Sequence, residues 1–263
     1  METILDRIIE QKKKEVMLLR EKKQEINESS GSKRSFLRKL KDANELAVIA
    51  EFKRASPSKG IINEGLEPGQ QALIYENAGA SAISVLTDST FFKGSFTDLK
   101  AVREEVNLPI LCKDFMIDPL QIDVASSYGA DLILLIVAAL DETKLMELFC
   151  YAKAKGLEVL VEVHNQNELE TALQLGAKLI GINNRDLKTF QVSLEVTETL
   201  AAIVKQSGAY LISESGIHNY EDAVRVRNAG ANGVLVGEAL MTSRNVSQSF
   251  KDILLPLKEG SNR

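Results

Sequence analysis

The chain has 263 residues, 44% of them hydrophobic, and a formal net charge of −5. That is ample apolar material for one large core, and a modest charge with no basic stripe interleaved with aromatics excludes nucleic acid as an expected partner. Cys112 and Cys150 stand alone, without a CxxC pair or a Cys/His cluster, so neither a disulfide framework nor a zinc site is expected.

The chain opens Met-Glu-Thr-Ile-Leu-Asp with no apolar leader core, and no apolar run approaches the roughly 18 residues of a membrane span. A soluble, cytoplasmic protein that meets no membrane is the expectation. Residues 3 to 26 carry Ile4, Leu5, Ile8, Ile9, Val16, Leu19 and Ile26 at helical spacing, with Thr3 able to cap the first turn. The basic run Lys12 to Lys14 is expected on the solvated face of that helix. A break at Glu28 to Ser32 precedes a second short helix from Ser35 to Leu40. Residues 1–45 thus form a helical extension, and the whole chain, 1–263, is expected to fold as a single domain.

From residue 46 the pattern repeats: an apolar strand, a charged or small residue at its end, a loop, then a helical segment. The strands are expected at Leu46 to Lys53, Ala82 to Thr87, Pro109 to Asp114, Leu132 to Val137, Glu158 to Val163, Leu179 to Asn183, Tyr210 to Glu214 and Gly233 to Val236. Helical segments fall between them, and four run into Gly79, Gly129, Gly176 and Gly230, each followed by Ala, as left-handed caps. Alternating strands and helices require parallel strands with crossover helices, either an open doubly wound sheet or a closed barrel. Eight units close a barrel, roughly 250 residues suit one, and no GxGxxG or GxxxxGK[ST] loop follows the first strand. An α/β fold, a (β/α)8 TIM barrel with an N-terminal helical extension, follows.

A barrel gathers the C-terminal ends of all its strands around one mouth. Strand 1 brings Glu51 and Lys53 there, strand 3 Lys113, strand 5 Glu162, strand 6 Asn183 with Arg185, and strand 7 Glu214 with Ser215. Buried without partners, such charges would cost several kcal/mol each, so they must neutralise one another or meet a ligand. One pair could be structural; three carboxylates and three cations from different strands point to chemistry. Ser213-Glu-Ser-Gly216 and Gly233-Val-Leu-Val-Gly-Glu-Ala239 follow the last two strands, where such barrels hold phosphate. The lesser alternative is that both are simply tight strand-to-helix turns. The Glu238 carboxylate would repel a phosphate, so only its amide is expected to point inward.

Other candidates are weaker. His164 and His218 are isolated and read as surface or structural histidines. Cys112 alternates away from Lys113 and should pack behind the barrel wall, and Asp114 falls outside the site.

Ile49-Ala-Glu-Phe-Lys-Arg-Ala-Ser-Pro-Ser-Lys-Gly60, Pro109-Ile-Leu-Cys-Lys-Asp-Phe115, Leu160-Val-Glu-Val-His164, Gly181-Ile-Asn-Asn-Arg-Asp-Leu187 and Ser213-Glu-Ser-Gly-Ile217 resemble the motifs of the indole-3-glycerol-phosphate synthases. The resemblance runs in order along essentially the whole chain. It implies a carboxy-lyase of tryptophan biosynthesis that converts 1-(2-carboxyphenylamino)-1-deoxyribulose 5-phosphate to indole-3-glycerol phosphate, carbon dioxide and water, without metal or organic cofactor. By position, Lys113 matches the family's general acid and Glu162 its catalytic carboxylate, with Lys53 and Glu51 beside them. Asn183, Arg185, Glu214 and Ser215 match its other polar site residues. Ser56, Gly216, Gly237 and the amide of Glu238 match its phosphate-binding elements, although the family often has Ser where Glu238 stands. Which lysine acts at which step stays open, as does whether the N-terminal helices cover the mouth or only pack. The loop Ser56 to Gly60 is expected to close over substrate. A phosphoribosyl isomerase, a non-catalytic phosphosugar sensor and a scaffold are the alternatives, each a poorer match to a Lys/Glu mouth. Partner enzymes of the pathway are conceivable but leave no sequence signature.

Overall fold

The structure, a computed structural model, describes residues 3–21 and 32–257. Eight parallel strands close on themselves: β1 (Ala47–Phe52), β2 (Ala82–Leu86), β3 (Ile110–Lys113), β4 (Leu132–Ile136), β5 (Glu158–Val163), β6 (Leu179–Asn183), β7 (Tyr210–Glu214) and β8 (Gly233–Val236). Each pairs with its sequence neighbours, and β1 closes the ring against β8 through pairs such as Ile49 with Leu235. The expected barrel is therefore present, with its strands in the expected places.

Alternation along the strands divides the core in two. Ala47, Ile49, Ala82, Leu111, Leu132, Leu134, Leu160, Leu179, Ile212 and Leu235 point inward and pack on one another. Val48, Ala50, Ile83, Cys112, Ile133, Val161, Ile180 and Val234 point outward and pack under the helices. Cys112 thus lies behind the wall, as its register with Lys113 requires.

The helices between strands start and stop where local chemistry dictates. Asp118 caps the helix Pro119–Ser127 in a reciprocal capping box with Gln121, and Asn165 and Asn219 cap the helices Gln166–Gln174 and Tyr220–Ala229. Gly79, Gly129, Gly176 and Gly230 all take positive φ, which L side chains resist. A short helix at Glu238–Met241 follows β8, and a further one, Val246–Ile253, escaped the sequence pattern.

The N-terminal extension serves both ends of the barrel. A helix at Phe36–Asp42, capped by Ser35, inserts Phe36 and Leu40 into the inner core. Truncating a fully buried Phe of this kind costs about 3–5 kcal/mol. The first helix, α1 (Ile4–Glu21), begins at a Thr3 whose hydroxyl accepts from the Asp6 amide at 3.2 Å. Residues 22–26 of the expected helix, and the break from Glu28 onward as far as residue 31, lie outside the described residues. The reading of Lys12 as solvated is overturned. Ile8, Lys12 and Val16 recur at a spacing of four and form the helix's buried face, with Lys12 only 2% exposed, while Lys13 and Lys14 do face solvent.

Candidate active site

The same alternation that makes the core puts charge at one end of it. Continuing from Ile49, the inward face carries Glu51 on β1 and Lys53 just past its end; from Leu111 the next inward position is Lys113, from Leu160 Glu162, from Leu179 Gly181 and then Asn183, and from Ile212 Glu214. Every residue singled out for the mouth lines one cavity: Glu51, Lys53, Ser56, Lys113, Glu162, Asn183, Arg185, Glu214, Ser215, Gly216, Gly237 and Glu238.

Lys113 stands at its centre. Its Nζ donates to Glu214 Oε2 at 2.7 Å and lies 3.7 Å from Glu51 Oε2 and 3.9 Å from Glu162 Oε2. Burial opposes its charge, but the Glu214, Glu51 and Glu162 carboxylates outweigh that and hold the ammonium above its ordinary range. It is an ammonium held charged among three buried carboxylates.

Each carboxylate has its own support. Glu51 Oε1 is 2.6 Å from Lys53 Nζ; burial pushes this carboxyl up, yet Lys53 and Lys113 bring it below the usual range. Glu162 Oε1 accepts from Asn183 Nδ2 at 3.1 Å and lies 3.3 Å from His164 Nε2. Burial again opposes, and His164 with Lys113 depresses it. Glu214 is the exception. Its Oε1 is buried with no hydrogen-bond partner among the described residues, and burial, reinforced by Glu162 and Glu51, raises its carboxyl despite Lys113.

Glycines make the room. A Cβ at Gly181 would overlap Glu214 Oε1, and one at Gly237 would overlap Glu51 Oε1. Gly237 therefore has a steric role at the acid cluster whatever it does for a ligand.

The loop after β7 holds unusual backbone. Ser215 has φ 66° and Gly216 φ 84°, and a non-glycine residue in that region costs energy that surrounding contacts must offset. Asn184 supplies those contacts: its Nδ2 donates to the main-chain oxygens of Glu214 and Ser215, both at 3.0 Å, and to Ser213 Oγ at 2.9 Å. Across the mouth, Ala55–Ser56 pairs with Gly60–Ile61 as a small hairpin. Lys59 on it lies 3.1 Å from Glu238 Oε1, so the unexpected carboxylate at the rim has a cation of its own. Arg185 Nη1 donates to the Phe190 main-chain oxygen at 3.2 Å.

The same cavity has apolar lining as well, from Ile4, Leu5 and Ile8 of α1 and from Phe92 and Phe115. Among the described residues, no group of three or more His, Cys, Asp and Glu is placed to hold a metal ion.

Sequence reasoning undervalued His164 and did not single out Asn184. His164 reads as isolated in the sequence, yet its position two residues after Glu162 puts it on the same strand face, where it bridges Glu162 and Glu168, with Nδ1 3.0 Å from Glu168 Oε2. His218 is exposed at the rim. Asp114, expected outside the site, contributes to the lining of the same cavity, with its Oδ1 2.7 Å from Lys12 Nζ.

A family model described as indole-3-glycerol phosphate synthase matches residues 5–253 of the chain. The chain belongs to the indole-3-glycerol phosphate synthase family. An indole-3-glycerol phosphate synthase of Bacillus cereus (strain G9842) is 56% identical over 252 residues, covering 96% of this chain and 98% of that one. The protein of the same name in Bacillus thuringiensis subsp. konkukian (strain 97-27) is 55% identical over the same shares. Among solved structures, N-acetylmannosamine-6-phosphate 2-epimerase from Clostridium perfringens superposes with a TM-score of 0.61 at 19% identity over 87% of this chain and 100% of that one. Thiamine phosphate pyrophosphorylase from Pyrococcus furiosus gives 0.58 at 20% identity, covering 80% and 94%. At such identities the structural likeness speaks for the barrel alone, and the synthase family is carried by the sequence.

Proposed function

We propose that the mouth performs the synthase reaction with Lys113 as principal acid, Glu162 as its catalytic carboxylate partner, and Glu51 and Lys53 as the adjacent pair. The substrate is a small phosphosugar carrying an anthranilate, 1-(2-carboxyphenylamino)-1-deoxyribulose 5-phosphate, and the products are indole-3-glycerol phosphate, carbon dioxide and water. The observation that carries this reading is the Lys113 ammonium held at 2.7, 3.7 and 3.9 Å from three buried carboxylates.

A carbon of the anthranilate ring must attack the ribulose ketone, a poor electrophile until its oxygen receives a proton or a strong hydrogen bond. The Lys113 ammonium supplies either, and does so more strongly as the alkoxide develops. Ring closure leaves a carboxylate on a dearomatised carbon, and its loss as carbon dioxide restores the aromatic ring. Dehydration then expels the new hydroxyl as water and removes a ring proton, which needs an acid and a base together. Glu162, kept ionised by His164 and Lys113, is suited to the base, and Lys53 or Lys113 to the acid.

Geometry supports a two-ended grip. The apolar wall of Ile4, Leu5, Ile8, Phe92 and Phe115 suits the aromatic half, and Ser56, Gly216, Gly237 and the Glu238 amide suit the phosphate, with Asn183, Arg185, Glu214 and Ser215 between. Holding both ends folds a flexible substrate into its attacking conformation. Incubation with the carboxyphenylamino substrate tests the reading by indole fluorescence, which the chain itself, having no Trp, does not contribute. Activity that persists after exhaustive chelation and dialysis supports it, and recovery only on adding a metal ion would sink it.

A further inference from the structure

Lys12 lies in the middle of α1 and is 2% exposed. A lysine so placed sheds nearly all its hydration, which is strongly unfavourable unless carboxylates replace the water. They do: Nζ is 2.7 Å from Asp114 Oδ1, 2.9 Å from Asp88 Oδ2 and 2.9 Å from Glu15 Oε2. Burial opposes the charge, and Asp114 with Asp88 outweighs it, so the ammonium persists across neutral pH.

Asp88 and Asp114 belong to the loops after β2 and β3, and each organises its loop. Asp88 Oδ1 accepts from the Phe91 and Phe92 amides at 2.6 and 3.2 Å, and the Gly94 amide closes the same loop on the Asp88 main-chain oxygen at 2.8 Å. Asp114 Oδ1 accepts from the Phe115 amide at 2.7 Å and its Oδ2 from the Thr87 hydroxyl at 2.6 Å. The Thr87 amide in turn donates to the main-chain oxygen of Lys113 at 3.2 Å. One ammonium therefore joins the N-terminal helix to the two loops that carry Phe92 and Phe115, whose ring centroids are 5.9 Å apart, and to the strand end that carries Lys113.

We propose that Lys12 is a positioning residue of the active site: it clamps α1 onto these loops so that Ile4, Leu5, Ile8, Phe92 and Phe115 stand as one apolar wall beside Lys113 and receive the substrate's aromatic half. Lys12 itself touches no substrate. The inference rests on the two-ended grip proposed above, in which the aromatic half and the phosphate bind at opposite sides of the mouth. A purely stabilising lysine would lower the melting temperature and leave both halves of that grip unchanged in the folded protein.

The test separates the halves with two probes, the full substrate and inorganic phosphate. Lys12→Met keeps the length and apolar stem while removing the charge. KM for the substrate should rise by about tenfold or more, kcat should fall by less, and inorganic phosphate should bind within about twofold of wild type. A folded Lys12→Met protein whose KM stays within about twofold of wild type overturns the clamp. Should that variant not fold, Asp88→Asn retains an acceptor for the Phe91 and Phe92 amides and removes one charge facing Lys12. It should raise KM by about threefold or more with phosphate binding unchanged, and an unchanged KM would again overturn the proposal. Phosphate that fails to compete with substrate on the wild-type enzyme counts against the phosphate end of the grip, while the KM comparison still decides the clamp.

Discussion

Lys113 and Glu214 meet across the barrel from β3 to β7 at 2.7 Å, and burial, which opposes charge on both, is overcome at only one of them. Lys113 is held charged, whereas Glu214 is raised above its ordinary 4.5 by burial and by Glu162 and Glu51, against the pull of Lys113. A raised carboxyl stabilises the fold fully below pH 4.5 and loses that contribution as pH climbs through the raised value. Wild-type unfolding free energy should accordingly fall by about 1 kcal/mol or more between about pH 4.5 and pH 6.5 relative to Glu214→Gln, whose carboxamide still accepts from Lys113 without titrating. Denaturant melts across that window check it, and equal slopes would mean that Glu214 is ionised throughout.

His164 gives the complementary signal at higher pH. Burial disfavours its charge, and Glu162 with Glu168 overrides this and raises it from 6.5 to about 10. Its contribution is full below pH 6.5 and is lost as pH rises toward about 10. His164→Asn should remove that slope at a cost of about 1–3 kcal/mol near neutrality, since each tenfold change in proton affinity is about 1.4 kcal/mol. Glu162 loses its principal partner in this variant, so the acidic limb of the kcat profile should also move to higher pH. Stability and activity profiles identical to wild type would make His164 a bystander.

The strand period made most of this site legible in the sequence. Glu51, Lys113, Glu162, Asn183 and Glu214 each follow inward-facing Ile or Leu residues at even spacing, so their convergence follows from closing the barrel. The run Lys12 to Lys14 has the composition of a solvated face, and only the spacing of four from Ile8 and Val16 puts Lys12 on the buried one. Its partners Asp88 and Asp114 are distant in sequence, and nothing local announces them. Asn184 faces outward from β6, so a search of the inward face passes over the residue that holds the Glu214 and Ser215 main chain. The pairing of Glu238 with Lys59 depends on how a hairpin folds across the mouth, which no strand or helix period encodes.

Gly181 should prove as sensitive as a catalytic residue without touching substrate. A Cβ there overlaps Glu214 Oε1 and comes within 3.3 Å of Leu160 Cδ1. Gly181→Ala should cost about 1–3 kcal/mol through overpacking and, by pushing Glu214 off Lys113, lower kcat by about tenfold or more while inorganic phosphate binds as before. Steady-state kinetics beside phosphate titration make the comparison; wild-type kcat would show that the Lys113 and Glu214 contact is dispensable.

The central claim is that Lys113 donates the proton that activates the ketone. Its most direct test is the turnover of Lys113→Ala at saturating substrate, where binding losses no longer matter. An interaction that strengthens in the transition state should lower kcat by about 10² to 10⁴, the usual worth of a general acid, with a much smaller change in substrate affinity. A fall of less than about tenfold, under about 1.4 kcal/mol of barrier, would contradict the account and shift the role to Lys53.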